Sequence, residues 1–206
     1  MTAAVFDPTQ PDPACLATVK ALEGDPFYRS ITQELSADEP RRRAVLERYF
    51  AYSIQEGKDI GRTVHLADPS HGVAVWLLPQ SAESRERSAR EKQAFLEATL
   101  GARGAASYYR MVEYMSRKAE AIVPGDAWYL SIIAVDPALQ GRGCGQQLLA
   151  PTLAEADALG VVSYLETFSS RNVRFYERMG FRTRGQFDEP TTSAQYVVMV
   201  RGERPG

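Results

Sequence analysis

The chain has 206 residues, 24 Lys and Arg against 26 Asp and Glu, a net charge of −2 and a pI near 5.8. That length suits one α/β domain with a sizeable core, and the balanced charge lacks the basic stripe that a nucleic-acid partner demands. No apolar run reaches membrane-span length and the N-terminus has no basic-then-apolar pattern, so neither a membrane partner nor a signal peptide is expected.

In chain order, residues 1–13 carry three prolines and read as an irregular arm, with only Ala3–Phe6 available for an opening strand. Ala14–Leu22 and Arg41–Ser53 read as helices; in the second, Val45, Tyr49 and Tyr52 keep helical spacing, as do Leu46 and Phe50. Arg62–Leu66 and Gly72–Leu78 read as neighbouring strands of a hairpin, joined through turn residues that include Asp68, Pro69 and Ser70. Ser81–Gln93 is charge-rich, the solvated start of a helix. Gly101 to Gly104 breaks the pattern, and Tyr108–Ala121 resumes it.

Trp128 to Val135 is an apolar run with the length of a buried strand. Gln146 to Gly160 follows as a helix, with Leu149, Leu153 and Ala156 holding helical spacing across Pro151, so one kinked helix is expected rather than two. Val161–Phe168 is a second buried strand. Ser169 to Asn172 reads as a polar turn, Val173–Met179 as a short helix, and Gly180 as its left-handed end. Strand, helix, strand implies a right-handed crossover and a parallel pair, with ligands at the strands' carboxyl ends. Phe181–Phe187 and Gln195–Arg201 close the chain as antiparallel strands.

Between the first buried strand and its helix stands Gln140-Gly141-Arg142-Gly143-Cys144-Gly145. Glycine lets backbone approach a ligand closely, and the first amides of a helix lack internal partners, so such a loop suits a pyrophosphate. The spacing is neither G-x-G-x-x-G nor a Walker loop. A tight connection that binds nothing has the same local wording. Cys144 reads as a small residue whose amide matters more than its sulfur.

The order Q-x-x-G-x-G after Val135-Asp136-Pro137 resembles the acetyl-CoA loop of the GNAT superfamily of N-acetyltransferases. Leu165-Glu166-Thr167 through Asn172-Val173-Arg174-Phe175-Tyr176-Glu177-Arg178-Met179-Gly180-Phe181 resembles that superfamily's second conserved block. Val73-Ala74-Val75-Trp76, Pro79-Gln80-Ser81, Trp128-Tyr129-Leu130 and Leu149-Ala150-Pro151 are similar to the puromycin N-acetyltransferase-like branch. The likeness runs from about Asp59 onward, and is thin over residues 82–124.

The resemblance implies a mixed central β-sheet of about six to seven strands with a splayed parallel pair, flanked by helices on both faces. It implies one domain over 1–206, with an acceptor side at 14–125 and an acetyl-CoA side at 126–201. Acetyl-CoA would be the cosubstrate. Its pyrophosphate would lie on Gln140, Gly141, Arg142, Gly143, Cys144, Gly145 and Gln146. Its pantetheine would lie along Ile133, Ala134 and Val135, with Asn172 beside it. Tyr176 would stand near the sulfur as general acid, although its spacing alone serves a core residue equally well.

Glu166 is a carboxylate in an apolar strand, and a buried carboxylate must find a partner or become neutral. It is the candidate base. The alternatives are a structural arginine partner, a substrate-positioning role, or proton removal through water. Phe27, Tyr28, Trp76, Tyr108, Tyr109 and Tyr114 are candidates for an acceptor pocket suited to an apolar or aromatic amine. The expected activity is acetyl transfer to a primary amine of a small molecule by direct attack in a ternary complex. A protein or peptide acceptor, or a non-catalytic acyl-CoA-binding domain, are the competing readings. Two His and two Cys without close spacing give no metal site. The cysteine usage suits a cytoplasmic protein, expected as a monomer or homodimer.

Overall fold

A computed structural model describes residues 11–202; the expected opening strand at Ala3–Phe6 lies outside them. Helices α1 (Cys15–Leu22), α2 (Pro26–Ile31) and α3 (Glu39–Ile60) lead into strands β1 (Gly61–His65) and β2 (Gly72–Leu77). Then come α4 (Ala82–Glu120), β3 (Trp128–Val135), α5 (Cys144–Leu159), β4 (Ser163–Thr167), α6 (Ser170–Arg178), β5 (Arg182–Glu189) and β6 (Ala194–Arg201). The six strands form one mixed sheet in the order β1-β2-β3-β4-β6-β5.

Several elements run longer than their sequence signals. Helix α3 starts at Glu39 because Asp38 caps it, its Oδ1 accepting from Arg41 N–H at 3.1 Å. The break expected over residues 101–104 is confined to Gly101, whose φ of 70° and ψ of 174° interrupt α4, after which the helix resumes at once. Helix α5 runs unbroken through Pro151 and begins two residues early, at Cys144. The polar turn expected at 169–172 is mostly helix, since Ser170, Arg171 and Asn172 form the first turn of α6. Gly180, at φ 87°, ends that helix as anticipated. The foot of the N-terminal arm is tied down: Asp12 takes the Ala14 amide at 3.0 Å, Lys58 at 2.7 Å and His65 Nε2 at 2.9 Å.

Two cores cover the two faces of the sheet. On one face Val73, Val75, Ile132 and Ala134 pack with Val19 of α1, Leu46, Phe50 and Ile54 of α3, and Leu96 and Met111 of α4. On the other, Ala74, Trp76, Leu130 and Leu165 pack with Leu148, Leu149, Leu153 and Ala156 of α5 and Tyr176 of α6. Burial of each of the larger side chains here, Val, Leu, Ile, Met or Phe, is worth about 1.5–3 kcal/mol.

Strand β3 belongs to both cores in an irregular way. Its register with β2 runs Trp76↔Leu130 and then Val75↔Ile132, which leaves Ser131 without an opposite residue. This is a β-bulge, and it inverts the alternation of faces. Trp128 and Leu130 face the α5 side before it; Ile132 and Ala134 face the α1–α4 side after it. Strands β3 and β4 pair in parallel only over Trp128↔Ser163, Tyr129↔Tyr164 and Leu130↔Leu165. Past the bulge they separate, while β4 goes on pairing with β6 through Glu166↔Val198 and Thr167↔Val197.

Phe50 has no exposed surface, and its ring lies 4.8 Å from that of Tyr28 and 5.6 Å from that of Tyr49. Phe50→Ala is expected to cost about 3–5 kcal/mol, read as a lower urea midpoint with an unchanged slope.

Candidate active site

The separation of β3 from β4 opens a cavity of about 330 Å³. Residues from both faces of the sheet reach it. Tyr129, Tyr164 and Glu166 come from the α4 side of the two strands, and Asn172 and Tyr176 come from α6 on the other. Helix α2 adds Phe27 and Tyr28, α3 adds Tyr49 and Ser53, and α4 adds Lys92 and Tyr108.

Glu166 is the more perturbed of the two carboxyls in this wall. Its Oε2 accepts from the Tyr129 hydroxyl at 3.2 Å. Its Oε1 is sealed from solvent and has no hydrogen-bond partner among the described residues. Desolvation pushes its carboxyl up to about 7, against the smaller downward pull of the Tyr129 hydrogen bond. Among the described residues no arginine pairs with it, which was one of the roles open from sequence. A carboxyl poised near neutrality is suited to taking a proton at ordinary pH.

Tyr176 is buried, 5% exposed, and its phenol is pushed up first by desolvation and then by the charge of Asp25. A phenol held protonated can donate. Asn172 stands four residues earlier on the same helix and reaches the cavity mouth, as the spacing requires.

The glycine-rich loop leaves the carboxyl end of β3, where Ile133 still lines the cavity. Gly141 and Gly143 adopt φ of 78° and 82°, in the left-handed region that side chains avoid. A Cβ at either position would meet no protein atom, so the space before them is open to a ligand. Gly143 caps α5 without any side-chain hydrogen bond. The amides of Cys144, Gly145 and Gln146 precede the first helical bond, which Gln147 N–H gives to Gly143 O at 3.1 Å. Gly145 has a packing role instead, since a Cβ there would lie 2.9 Å from Phe175 Cζ. Gln140 fastens the loop by donating from Nε2 to Val135 O at 3.2 Å. Arg142 and Gln146 are exposed, and Cys144 is half-buried. Ala134 and Val135 are buried in opposite cores, so only their backbone faces the opening beside β3.

These features fit acetyl-CoA: uncapped amides for a pyrophosphate and an unpaired strand edge beyond Leu130 for the pantetheine amides. Among the described residues no group of three or more His, Cys, Asp or Glu is placed to hold a metal, and no helix is long and apolar enough to cross a membrane.

Of the aromatic candidates, Phe27, Tyr28 and Tyr108 line the cavity. Trp76 is fully buried in the core on the α5 side. Tyr109 is 40% exposed, on the outer side of Tyr108, and Tyr114 packs near β6; neither lines the cavity. Sequence reasoning missed Asp25, Tyr49, Lys92 and Tyr129. The pattern N-cap Asp25 then Pro26 was the available signal for α2. Lys92 sits 36 positions from its partner Glu56, whose oxygens hold its Nζ at 3.0 and 2.8 Å.

A mixed six-stranded sheet with a parallel pair parted at its carboxyl ends, and a glycine loop feeding a helix, is an architecture suited to holding an acyl-CoA. Residues 100–183 match the family model described as Acetyltransferase (GNAT) domain. The fold is similar to that of histone acetyltransferase HPA2 and related acetyltransferase from Corynebacterium glutamicum, with a TM-score of 0.61 and 22% identity over 93% of this chain and 91% of that one. It is similar to an agmatine N-acetyltransferase, with a TM-score of 0.56 and 15% identity over 91% and 93%. A protein from Pyrococcus horikoshii matches with a TM-score of 0.52 and 14% identity over 94% and 92%. The chain shares the fold of these acetyltransferases, and the segment that matches the GNAT domain model contains β3, the glycine loop, β4 and α6.

The raised Glu166 carboxyl has a consequence for stability. Its folded value, about 7, lies above the ordinary 4.5. Its stabilising contribution is therefore complete below pH 4.5 and is lost as pH rises through 7. Glu166→Gln removes that loss. The variant is expected to gain on wild type by roughly 3 kcal/mol between pH 4.5 and 7.5. Urea midpoints of both proteins across that range check it; parallel curves would contradict it.

Proposed function

We propose that the chain moves the acetyl group of acetyl-CoA to a primary amine of a small molecule, by direct attack in a ternary complex. The observation that carries this reading is the convergence of Glu166, with an orphaned oxygen and a near-neutral carboxyl, and Tyr176, a buried phenol, on one cavity between β3 and β4. The bound thioester supplies an activated acyl carbon and a thiolate leaving group.

Glu166 receives the proton that the acceptor nitrogen must lose. Tyr129 occupies only Oε2, so Oε1 keeps its accepting capacity and meets the acceptor once the side chain turns toward the cavity that it lines. Tyr176 donates a proton to the departing sulfur. Asn172 and the backbone of Ile133, Ala134 and Val135 hold the pantetheine arm. The amides from Gly141 to Gly145 hold the pyrophosphate. Positioning of the two reactants contributes several kcal/mol, and each proton transfer roughly 10²–10⁴-fold. The enclosing walls of α2, α3 and α4 favour a small acceptor over a peptide. A puromycin-acetyltransferase-like placement within the superfamily and a single catalytic domain over 1–206 belong to the same reading, supported by the sequence blocks quoted above.

The test is thiol release from acetyl-CoA with a panel of primary amines. Tyr176→Phe is expected to lower kcat by about 10- to 10³-fold while acetyl-CoA affinity, by calorimetry, stays within about twofold. Glu166→Gln is expected to flatten the rise of kcat/KM around pH 7. A wild type that binds acetyl-CoA but acetylates no amine would leave the non-catalytic acyl-CoA-binding reading standing. Gly143→Asp is expected to abolish acetyl-CoA binding in a folded protein, since its carboxylate and Cβ would stand where the pyrophosphate must approach; unchanged affinity would detach the loop from the coenzyme.

A further inference from the structure

The acceptor cavity holds an unbalanced set of charges. Among the described residues two carboxylates line it, Asp25 and Glu166, and the only lining cation is Lys92. Lys92 is already neutralised, because both oxygens of Glu56 hold its ammonium at 3.0 and 2.8 Å. Among the described residues neither Asp25 nor Glu166 pairs with a lysine or arginine. Among the described residues the Asp25 carboxylate accepts a single hydrogen bond, from Phe27 N–H at 2.9 Å, in its role as the cap of α2. Burial raises its carboxyl, against the smaller pull of that bond.

A monoamine answers only half of this. Once its nitrogen gives a proton to Glu166 and attacks, it brings no positive charge to Asp25. A buried carboxylate left without a cation is costly. The rest of the wall suits a second ammonium as well. Phe27, Tyr28, Tyr49 and Tyr108 form a ladder of edge-to-face rings beside Asp25, with centroids 5.4 to 6.4 Å apart. Such rings attract cations, as Tyr108 does with Lys92 Nζ at 5.7 Å from its centroid.

Resting on the small-amine reading above, we propose that the acceptor is a short aliphatic diamine, one nitrogen reacting beside Glu166 while the other stays protonated and is held by Asp25 among the rings of α2 and α3. Asp25 is then a specificity-determining residue. It fixes the end of the acceptor that does not react.

The variant Asp25→Asn isolates this role, because Asn caps a helix as well as Asp does and loses only the charge. Steady-state thiol release from acetyl-CoA is measured with butane-1,4-diamine, butylamine and phenethylamine. Wild type is expected to prefer the diamine over butylamine in kcat/KM by about 10- to 100-fold, the range of a charge-assisted hydrogen bond. In Asp25→Asn the KM for the diamine is expected to rise by a similar factor. The KM for butylamine and acetyl-CoA affinity are expected to change less than about twofold, and any change in kcat, through the loss of the Asp25 charge near Tyr176, is expected to be the same for the diamine and butylamine. Asp25→Ser, which also caps, repeats the measurement should the Asn variant be unstable. Absence of a diamine preference in wild type overturns the proposal, as does a preference that survives the variants or an equal loss on all three amines. A protein that binds acetyl-CoA but releases thiol with none of the three amines overturns the small-amine reading itself.

Discussion

The parting of β3 from β4 after one short run of parallel pairing is the constraint on which the rest of the site depends. Three residue pairs hold the strands together, and the bulge at Ser131 then turns β3 away. A sheet interior is normally closed, with every backbone group paired. Here the closure fails at one point, and the failure creates both a strand edge for a coenzyme and a cavity reachable from either face. Glu166 and Tyr176 belong to opposite faces of the sheet and meet because there is a gap to meet in.

The same opening sets the electrostatics. The cavity lies deep enough to desolvate Glu166, Tyr129 and Tyr176, yet reaches the surface at Asn172. Desolvation raises all three groups, which keeps the phenols protonated and brings the carboxyl into the neutral range. Carboxyl and phenol therefore differ in readiness mainly through their intrinsic chemistry and shared burial, with the charge of Asp25 adding to the shift of Tyr176. Phe50 and its ring contacts support the aromatic side of this wall from behind.

Much of this was legible in the sequence. The run Trp128–Val135, the glycine loop and the helix after it were readable because each obeys a local rule: length and apolarity, left-handed glycine, helical spacing. The four-residue step from Asn172 to Tyr176 put both on one face of α6. What was not legible depends on partners distant in the chain. The bulge at Ser131 is visible only in the register with β2. Period-two reading of Trp128, Leu130, Ile132 and Ala134 would assign all four to one face, and two of them lie on the other. Helix α2 is six residues long, too short for periodicity to reveal, and it carries Asp25, Phe27 and Tyr28. Trp76 and Tyr109 were aromatic in the right neighbourhood, but which way a ring points is a tertiary fact. Charge-rich wording at residues 81–93 read as solvated surface, although Lys92 turns inward to Glu56.

The strand order has a consequence for how the protein comes into being. Strand β4 lies between β3 and β6, so its second neighbour is the last strand in sequence, Ala194–Arg201. During synthesis at about 5–20 residues per second, β4, the glycine loop and α6 all emerge before β6 exists. Until then β4 presents an open edge, and Glu166 sits on a strand held from one side only. Arg201 completes the closure by joining Met179 O at 2.9 Å and Asp157 at 2.5 and 2.6 Å. The nascent chain thus carries the walls of its cavity in an unfinished frame, exposed to edge-to-edge association until β6 pairs with β4.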